Sequence, residues 1–319
     1  MKKLLVTGTG GFIFSNFVRR LFFRKAPYQV ASIDRIREGA ALKDVYSNKN
    51  HQFYIGDVAD PHFVDVIFEV ERPDVVIHGA AETHVDDSIA DASPFIRSNL
   101  QGTQVIIDAC RKWETELLVY ISTDEVYGHL ETEDAPSWAE DATLNPRNPY
   151  AASKAGAELL VRAAHETYGL PYLITRSCNN YGPRQSADKL LPKVIKNVLG
   201  SEPVPIYGKG AQVRDWLHVR DNCDAILLLL EKGERNGIYN ISAGQELSNL
   251  EVVQRVCSAL GKGHDLMTFV KDRLGHDFRY SVDSSRLRAL GWAPEFKLTD
   301  GLAQTAGWYT SNQWFLDRY

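Results

Sequence analysis

The sequence predicts an α/β protein with a doubly wound, mostly parallel sheet and a smaller, irregular α/β domain. Three observations lead to this fold class. Short apolar runs with the length of buried strands alternate with segments of helical periodicity through the first half of the chain. A glycine-rich turn follows the first run and opens the first helical segment, and polar or acidic residues follow several of the later runs.

The predicted strands are short runs rich in Val, Ile, Leu and Tyr. They cover residues 3–7, 29–33, 52–55, 74–78, 117–121 and 172–175, with a seventh at 237–241. The predicted helices carry apolar residues at helical spacing and cover 12–23, 60–71, 94–112, 150–168, 189–199, 219–232, 247–260 and 299–309. Two of these helices have residues typical of helix ends. Pro61 lies in the first turn of one, and Gly169 ends another. Strands and helices that alternate in this way indicate βαβ crossovers and therefore parallel pairing.

The chain becomes less regular after residue 176. We predict a loop at 179–184, a short strand at 203–207 and a turn at 208–210. The first domain is expected to comprise residues 1–176 plus about 210–242, and the smaller second domain 177–209 plus 243–319.

Composition argues against several classes of function. The 319 residues include 36 Lys and Arg against 41 Asp and Glu, a net charge of −5, without the basic cluster typical of nucleic-acid binding. No apolar run reaches the ~18 residues of a membrane span, and no signal peptide is recognisable, so we expect a cytoplasmic protein. The four cysteines and nine histidines show neither Cys-x-x-Cys nor metal-ligand spacing, so we expect no metal.

The glycine-rich turn is the first candidate site. Gly8, Gly10 and Gly11 separate the first strand from the first helix, which lets backbone N–H groups approach a pyrophosphate at the helix N-terminus. Asp34 ends the second strand, where an acid accepts hydrogen bonds from an adenosine ribose and disfavours a 2′-phosphate. Together these residues predict a Rossmann-type domain that binds NAD.

Residues after the third and fourth strands extend this predicted cofactor site. Asp57 and Val58 follow the third strand, where Asp57 is placed to bond adenine, and Ala80 and Ala81 follow the fourth, offering a flat backbone surface. NADP stays open as an alternative because two nearby basic residues suit a phosphate: Arg35 and Arg37.

The second candidate site follows the strand at 117–121. This strand runs directly into Ser122, Thr123, Asp124 and Glu125, so a hydroxyl and two adjacent carboxylates lie at a carboxyl strand end, where open α/β sheets bind ligands. Close like charges push two pKa values apart, so one carboxyl group can be protonated while the other is ionised. We interpret the pair as an acid and a base for proton transfer.

A tyrosine and a lysine complete this site. Tyr150 and Lys154 are spaced i and i+4 on a predicted helix and therefore share a face. A lysine close to a tyrosine favours the phenolate, so we interpret Tyr150 as the base of a hydride-transfer step.

These motifs lie at 7–15, 80–86, 122–128, 150–154, 179–183, 207–210, 214–216, 275–277 and 279–280. On them the chain resembles, over essentially its whole length, the extended short-chain dehydrogenase/reductase family, and within it the nucleotide-sugar 4,6-dehydratases of the dTDP-glucose type. The discriminating stretch is Thr123-Asp124-Glu125. Related 4-epimerases carry Ser/Thr-Ser-Ser there, and UDP-glucuronate decarboxylases carry Thr-Ser-Glu.

The resemblance implies a role for each catalytic candidate. Thr123 would hydrogen-bond the sugar 4-hydroxyl, and Tyr150 would take its proton while hydride passes from C4 to NAD. Glu125 would then remove the C5 proton, and Asp124 would protonate the departing 6-hydroxyl. Hydride would return to C6, so NAD is regenerated in each turnover of this step in deoxysugar biosynthesis. Lys154 would also hold the nicotinamide ribose.

The resemblance also implies binding residues and a partner. Cofactor contacts are expected from the turn residues Phe12 and Ile13, from Ser122 and from Asn99. Nucleotide-sugar contacts are expected from the second domain and the loops facing it: His84, Thr123, Asn179, Lys189, Leu190, Tyr207, Arg214, Asn249, Arg273 and His276. Arg214 is the strongest of these, because a guanidinium binds a diphosphate bidentately; a surface salt bridge is its alternative. Similar family members pair as homodimers through helices near 94–112 and 150–168.

The sequence departs from the family pattern at Phe14, which stands where Gly-x-x-Gly-x-x-Gly expects its third glycine. That glycine serves close packing of helix on strand, and we expect the phenyl ring to turn into the apolar space between them. Two other readings stay open. One is an epimerase or a dehydratase of other regiochemistry, and the other is a dinucleotide-binding sensor without catalysis.

Overall fold

The structure is a computed structural model that describes residues 2–35, 48–272 and 276–317. Its strands in chain order are β1 (Lys2–Thr7), β2 (Tyr28–Asp34), β3 (His51–Ile55), β4 (Val75–His78), β5 (Leu117–Thr123), β6 (Tyr172–Ser177), β7 (Asn179–Tyr181), β8 (Val204–Tyr207), β9 (Val213–His218), β10 (Gly237–Ile241), β11 (Glu246–Ser248) and β12 (Met267–Val270).

The α-helices are α1 (Phe12–Phe23), α2 (Pro61–Glu71), α3 (Val85–Ala90), α4 (Ser93–Phe95), α5 (Gly102–Lys112), α6 (Pro149–Tyr168), α7 (Leu190–Gly200), α8 (Val219–Lys232), α9 (Asn249–Ala259), α10 (Ser285–Ala289), α11 (Leu298–Ser311) and α12 (Gln313–Leu316). A π-helical stretch, Ile96–Gln101, joins α4 to α5, and a 3₁₀ turn, Asp124–Tyr127, follows β5.

Seven strands form one parallel sheet in the order β10-β6-β5-β4-β1-β2-β3. The chain moves outward from β1 to β3 and then returns to β4 on the other side of β1. Ligands of open α/β sheets bind at the carboxyl ends of the strands where this reversal occurs. The predicted fold class, a doubly wound Rossmann-type sheet, is confirmed.

Helices cover both faces of this sheet. On one face α1 and α8 pack over a core that includes Phe17, Ile226 and Tyr239. On the other face α2, α5 and α6 cover a core that includes Phe68 and Ile106. Burial on both faces explains why these strands are continuous apolar runs rather than alternating ones.

The remaining elements form a smaller, less regular region. β9 lies between β11 and β7 in a three-stranded sheet, and β8 pairs with β12. Helices α7, α9 and α11 enclose a separate core that includes Tyr181, Trp216 and Leu302. Within 210–242, α8 and β10 pack with the large sheet, whereas β9 belongs to the smaller region.

Two expectations about local structure were wrong. The predicted loop at 179–184 begins with β7, which pairs in parallel with β9, and β9 itself was not predicted. Such short strands form only because a partner remote in sequence completes their hydrogen bonds, so the local sequence does not predict them. The helix predicted at 94–112 contains the π-helical stretch. None of the helices in the described part of the chain combines the length and apolar character needed to cross a bilayer.

Candidate active site

A cleft of about 1710 Å³ opens at the carboxyl ends of β1, β4 and β5 and continues into the smaller region. This volume exceeds that of pockets for single drug-sized ligands, so the cleft has room for two nucleotides. Every site residue predicted from the sequence lines it except two. Asn99 lies behind the wall, and Arg273 lies outside the described residues, as does Arg37.

The glycine turn is formed by backbone atoms in close contact. Gly8 has a φ of +82°, and a Cβ there would lie 2.8 Å from the amide nitrogen of Ala80. The amide of Gly11 donates to the carbonyl of Gly8 at 3.1 Å, which closes the turn before α1. Only glycine permits both this backbone conformation and this approach. The cradle left by the missing side chains is what a pyrophosphate requires.

Acidic side chains shape the adenosine end of the cleft. The Asp34 carboxylate accepts a hydrogen bond from the amide of Gly10 at 2.6 Å. Arg35 forms ion pairs with Glu82 at 2.6 Å and with Asp57 at 3.6 Å, so its charge is balanced by two acids. This pairing weakens the argument for NADP that Arg35 provided in the sequence, because the guanidinium is already engaged.

Asp57 is ionised and held in place. Burial acts to raise its pKa, but hydrogen bonds from the amide of Ala59 and from Arg97 outweigh it and lower the pKa below its usual value. Val58 beside it is buried against Gly102, the first residue of α5. The loop after β3 is therefore anchored to the helix that follows the π-helical stretch.

A buried chain of hydrogen bonds lies beneath the cofactor end. The Thr7 hydroxyl accepts from the amides of Gly79 and Ala80, so its proton must go to Nδ1 of His78, 2.8 Å away. His78 Nε2 then donates to Thr103 at 3.1 Å. Burial, with the Lys154 charge, lowers the pKa of His78 to about 3, so the ring is neutral and has the Nε2–H tautomer.

Asn99 extends this chain toward the catalytic helix. Its carbonyl accepts from the Thr103 hydroxyl at 2.6 Å, and its side chain bonds both backbone groups of Glu82. The same amide donates to Ser153 at 2.8 Å. Asn99 therefore joins the loop after β4 to α6 rather than facing the cleft, and the contact with cofactor implied for it has no support in this geometry.

The acid pair lies in the 3₁₀ turn after β5. Thr123 caps that turn by accepting from the amide of Glu125, and it donates to Asp124 at 3.2 Å. Asp124 is buried, and burial together with the Glu125 charge raises its pKa to about 8. Burial also raises the pKa of Glu125, while a hydrogen bond from Asn148 opposes that effect. One carboxyl group is thus protonated at neutral pH, as the sequence predicted.

Asn148 was missed in the sequence and connects the two catalytic segments. Its carbonyl oxygen caps α6 by accepting from the amide of Ala151 at 2.8 Å, and its amide donates to Glu125 at 3.1 Å. A usable signal existed, because Asn directly before Pro149 and an apolar helix is a typical N-cap. The cap fixes the Glu125 carboxylate relative to Tyr150.

Tyr150 and Lys154 face the cleft from the first turns of α6, and both are buried. Burial lowers the pKa of Lys154 to about 7, and its ammonium lies 4.3 Å above the ring of Tyr120. Burial and the charges of Glu125 and Asp124 raise the pKa of Tyr150 well above its usual value. Burial is the largest cause, so the raised pKa opposes the phenolate that we expected Lys154 to favour.

Arg214 lines the cleft near the acid pair, and its charge opposes the rise in the pKa of both Asp124 and Glu125. It is buried, so the surface salt bridge considered as its alternative does not apply. It donates to the carbonyls of Val213, Asp277 and Phe278, and its guanidinium lies 4.3 Å from the centre of the Tyr280 ring. These bonds use three of the five guanidinium N–H groups and fix its orientation toward the cleft.

Several buried oxygen atoms along the cleft have no hydrogen-bond partner among the described residues: Ser122 Oγ, Asp124 Oδ2, Asn179 Oδ1 and Asn249 Oδ1. Buried polar atoms are almost always satisfied in folded proteins, so their common position indicates ligand groups that would complete them. They lie at both the cofactor and the second-region ends. No group of three or more His, Cys, Asp or Glu within the described ranges is placed to hold a metal ion.

Asp277 and Tyr280 were not among the predicted site residues. Tyr280 donates to the Asp277 carboxylate, and Arg147 pairs with the same carboxylate at 3.2 Å. The charge of Asp277 contributes to raising the pKa of Glu125. A signal existed, because both residues lie in the motifs 275–277 and 279–280 on which the family resemblance rests.

Phe14 lies in the first turn of α1 with its ring turned into the sheet-side core. It is 3% exposed and meets Phe17 edge-on at 5.7 Å between ring centroids. Its ring covers the Cα of Gly79 so closely that a Cβ on Gly79 would lie 2.1 Å from a ring carbon. The ring therefore occupies the space between helix and sheet, as expected.

Comparison with known proteins agrees with this geometry. Residues 4–242 match the model of the NAD dependent epimerase/dehydratase family. The chain is 45% identical to the low-salt glycan biosynthesis protein Agl12 of Haloferax volcanii, covering 96% of this chain and 98% of that protein. It is 43% identical to the dTDP-glucose 4,6-dehydratase of Haemophilus influenzae, covering 98% and 99%. The crystal structure of the dTDP-glucose 4,6-dehydratase DesIV of Streptomyces venezuelae, with NAD bound, superposes with a TM-score of 0.94 at 42% identity, covering 99% of this chain and 100% of that one.

Proposed function

The chain belongs to the NAD dependent epimerase/dehydratase family, and we propose that it is an NAD-dependent nucleotide-sugar 4,6-dehydratase, a hydro-lyase. The expected substrate is dTDP-glucose and the product its 4-keto-6-deoxy derivative. The observation that carries this proposal is the pairing of Asp124, with a pKa raised to about 8, with Glu125 at the end of β5 beside Tyr150. Loss of water across C5 and C6 needs an acid and a base in addition to the base that takes the 4-hydroxyl proton, whereas epimerisation at C4 needs only the latter.

The cofactor end has the features that NAD requires. The glycine cradle would receive the pyrophosphate, Asp34 the adenosine ribose and Asp57 the adenine, while Lys154 would hold the nicotinamide ribose. Bound NAD supplies the hydride acceptor for C4 and, once reduced, the hydride donor for C6. The fit rests on the Gly8 approach to Ala80 and on the unpaired oxygen of Ser122.

Oxidation at C4 depends on a hydroxyl and a phenol of this chain. Thr123 would orient the 4-hydroxyl, and Tyr150 would take its proton. Because burial and the acid pair raise the pKa of Tyr150, a phenolate needs a compensating cation, and Lys154 lies one helical turn further along the same face. Its lowered pKa of about 7 makes this contribution sensitive to pH.

Elimination follows from the 4-keto group, which acidifies the C5 proton. Glu125 would remove that proton, and Asp124 would give its proton to the 6-hydroxyl, which leaves as water. Asp124 is protonated at neutral pH without help from substrate. The proton on Glu125 then returns to C5 as hydride reaches C6. At the end of the cycle Tyr150 holds the proton of the 4-hydroxyl, and Asp124 has lost one proton to the departing water. Release of a proton by Tyr150 to solvent and uptake of one by Asp124 restore both groups, so the net change is loss of one water from the sugar.

We assign binding of the nucleotide diphosphate to side chains of the cleft outside the dinucleotide cradle. The side chains proposed for it are His84, Asn179, Lys189, Leu190, Tyr207, Arg214, Asn249 and His276, which all line the cleft. Arg214 is central because its remaining N–H groups suit a diphosphate.

The test is to incubate the purified protein with dTDP-glucose and follow the 4-keto product by its alkaline absorbance and by NMR of the new 6-methyl group. Repeating it with UDP-, GDP- and CDP-hexoses identifies the base. Formation of a 4-epimer without loss of water would overturn the dehydratase assignment in favour of an epimerase. Retained NAD with no product from any of these sugars would favour a sensor.

We also propose a homodimer. Two large apolar side chains are exposed on the segments predicted to pair, Ile96 at 55% and Leu159 at 53%. An isologous contact through these helices would cover them. Light scattering at micromolar concentration should give twice the chain mass, and Leu159→Arg should give a monomer. A monomeric wild type would contradict the proposal.

Two further expectations belong to the same proposal. A cytoplasmic location is supported by the four cysteines, all of which are free and buried. The division into a cofactor domain of 1–176 plus about 210–242 and a nucleotide-sugar domain of 177–209 plus 243–319 is supported by the separate core around Leu302, although β9, within 210–242, packs with that core. Limited proteolysis with and without NAD tests the division, because NAD should protect the first set of segments selectively.

A further inference from the structure

Gly79, at the end of β4, has no conformational reason to be glycine. Its φ is outside the left-handed region, in contrast to Gly8 a short distance away. What excludes a side chain there is the Phe14 ring, since a Cβ at position 79 would lie 2.1, 2.4 and 2.9 Å from three of its carbons. Contacts below 3.0 Å cannot persist, so one of the two partners would have to move.

Neither partner is free to move cheaply. The backbone after β4 is fixed because Thr7 accepts hydrogen bonds from the amides of Gly79 and Ala80 at 3.1 and 3.0 Å. The Phe14 ring is fixed because it is buried in the core beneath α1 and packs against Phe17. A side chain at 79 would therefore displace α1, the loop after β4, or both.

These two segments are the ones that meet at the cofactor turn. A Cβ on Gly8 would lie 2.8 to 2.9 Å from the backbone of Ala80 and from the carbonyl carbon of Gly79, so the turn lies directly against this loop. A shift of α1 or of the loop by a few tenths of an ångström would open or close the cradle that lies between them.

We propose that Phe14 and Gly79 are a matched pair of positioning residues that sets the distance between α1 and the loop after β4, and thereby the shape of the dinucleotide cradle. A large residue at position 14 is tolerated because position 79 has no side chain. This inference rests on the proposed function only in taking a dinucleotide as the ligand of the turn.

The experiment is a double-mutant cycle with Gly79→Ala, Phe14→Ala and the combined variant. The matched control is Gly307→Ala in α11, where a Cβ meets nothing within 4 Å. Two quantities are measured on each protein: NAD affinity by calorimetry after bound nucleotide has been removed, and thermal stability without nucleotide.

Gly79→Ala should weaken NAD binding by about tenfold or more, the effect of overpacking a fixed site. Phe14→Ala should lose stability through the cavity it leaves, and it should weaken NAD binding by about threefold, less than Gly79→Ala, because the ring no longer spaces α1 from the loop. The combined variant should bind NAD better than Gly79→Ala, because the clash is gone. The control should leave NAD affinity unchanged and raise thermal stability slightly, because alanine favours a helix more than glycine does.

Wild-type NAD affinity in Gly79→Ala would overturn the inference, as would a combined variant no better than Gly79→Ala. If Gly79→Ala fails to fold, a folded combined variant supports the pairing and an unfolded one refutes it. The stability cycle needs no nucleotide, so it remains decisive even if the wild type binds no NAD, a result that would instead contradict the proposed function.

Discussion

The two ends of the cleft are built differently. The dinucleotide end is made largely of backbone: the Gly8 turn, the amides after β4 and an N–H bond to Asp34. The opposite end is made of side chains such as Arg214 and Asn249, which come from segments far apart in sequence. A site made of backbone is encoded by a few contiguous residues. A site made of side chains depends on the tertiary structure that brings distant residues together. The first can therefore be recognised from sequence pattern, and the second only by resemblance.

Chemistry takes place where the two ends meet, and the largest effect is expected there. Asp124→Asn should lower dehydration by about 10²–10⁴-fold, because the acid for the leaving hydroxyl is lost. Reduction of bound NAD by dTDP-glucose, followed by absorbance at 340 nm, should remain, because Thr123 and Tyr150 are intact. Normal dehydration by this variant would show that another group is the acid.

A change at the side-chain end should weaken binding of the nucleotide sugar without affecting binding of NAD. Arg214→Lys keeps the charge but cannot reproduce the three carbonyl hydrogen bonds, so KM for the nucleotide sugar should rise by about 10- to 100-fold. NAD affinity should be unchanged. Arg286→Lys, at an exposed ion pair with Glu234 outside the cleft, is the control and should behave as wild type. A loss of NAD affinity in Arg214→Lys would contradict the separation of the two ends.

The backbone end should show the reciprocal pattern with a smaller effect. Asp34→Ala removes a ribose acceptor and a negative charge, so NAD affinity should fall by about tenfold while KM for the nucleotide sugar stays constant. The preference for NAD over NADP should also narrow, because the carboxylate no longer repels a 2′-phosphate. Binding of both dinucleotides is measured on stripped protein, and an unchanged ratio would remove Asp34 from cofactor selection.

The smallest effect concerns stability against pH. The pKa of Asp124 rises from 3.8 to about 8 on folding, so folding takes up a proton between these values, and stability present at pH 4 is lost as pH approaches 8. Asparagine has no proton to lose. The melting temperature of Asp124→Asn relative to wild type should therefore increase from pH 5 to pH 8 by a few degrees and then level off. A constant difference would mean that Asp124 ionises normally.

Sequence alone predicted most of the large sheet, because its strands are buried on both faces and each helix carries its own periodicity. It also predicted the glycine turn and the acid pair, since these are contiguous. It missed β9, β11 and β12, whose pairing partners lie elsewhere in the chain. It could not give the direction of the pKa of Tyr150, because that pKa depends first on the burial of the phenol and then on Glu125 and Asp124, which only the folded structure brings beside it.

The π-helical stretch Ile96–Gln101 has a consequence for how this chain can vary in length. One residue of an α-helix corresponds to about 100° of rotation, so the segments before and after the stretch are out of phase with a regular helix. Removing a single residue would restore regular hydrogen bonding, but it would rotate Asn99 away from Glu82 and Ser153. Regular helical hydrogen bonding and the attachment of the loop after β4 to α6 are thus in conflict at this point. A one-residue deletion or insertion in this stretch should therefore be tolerated less well than one elsewhere in the same helical segment.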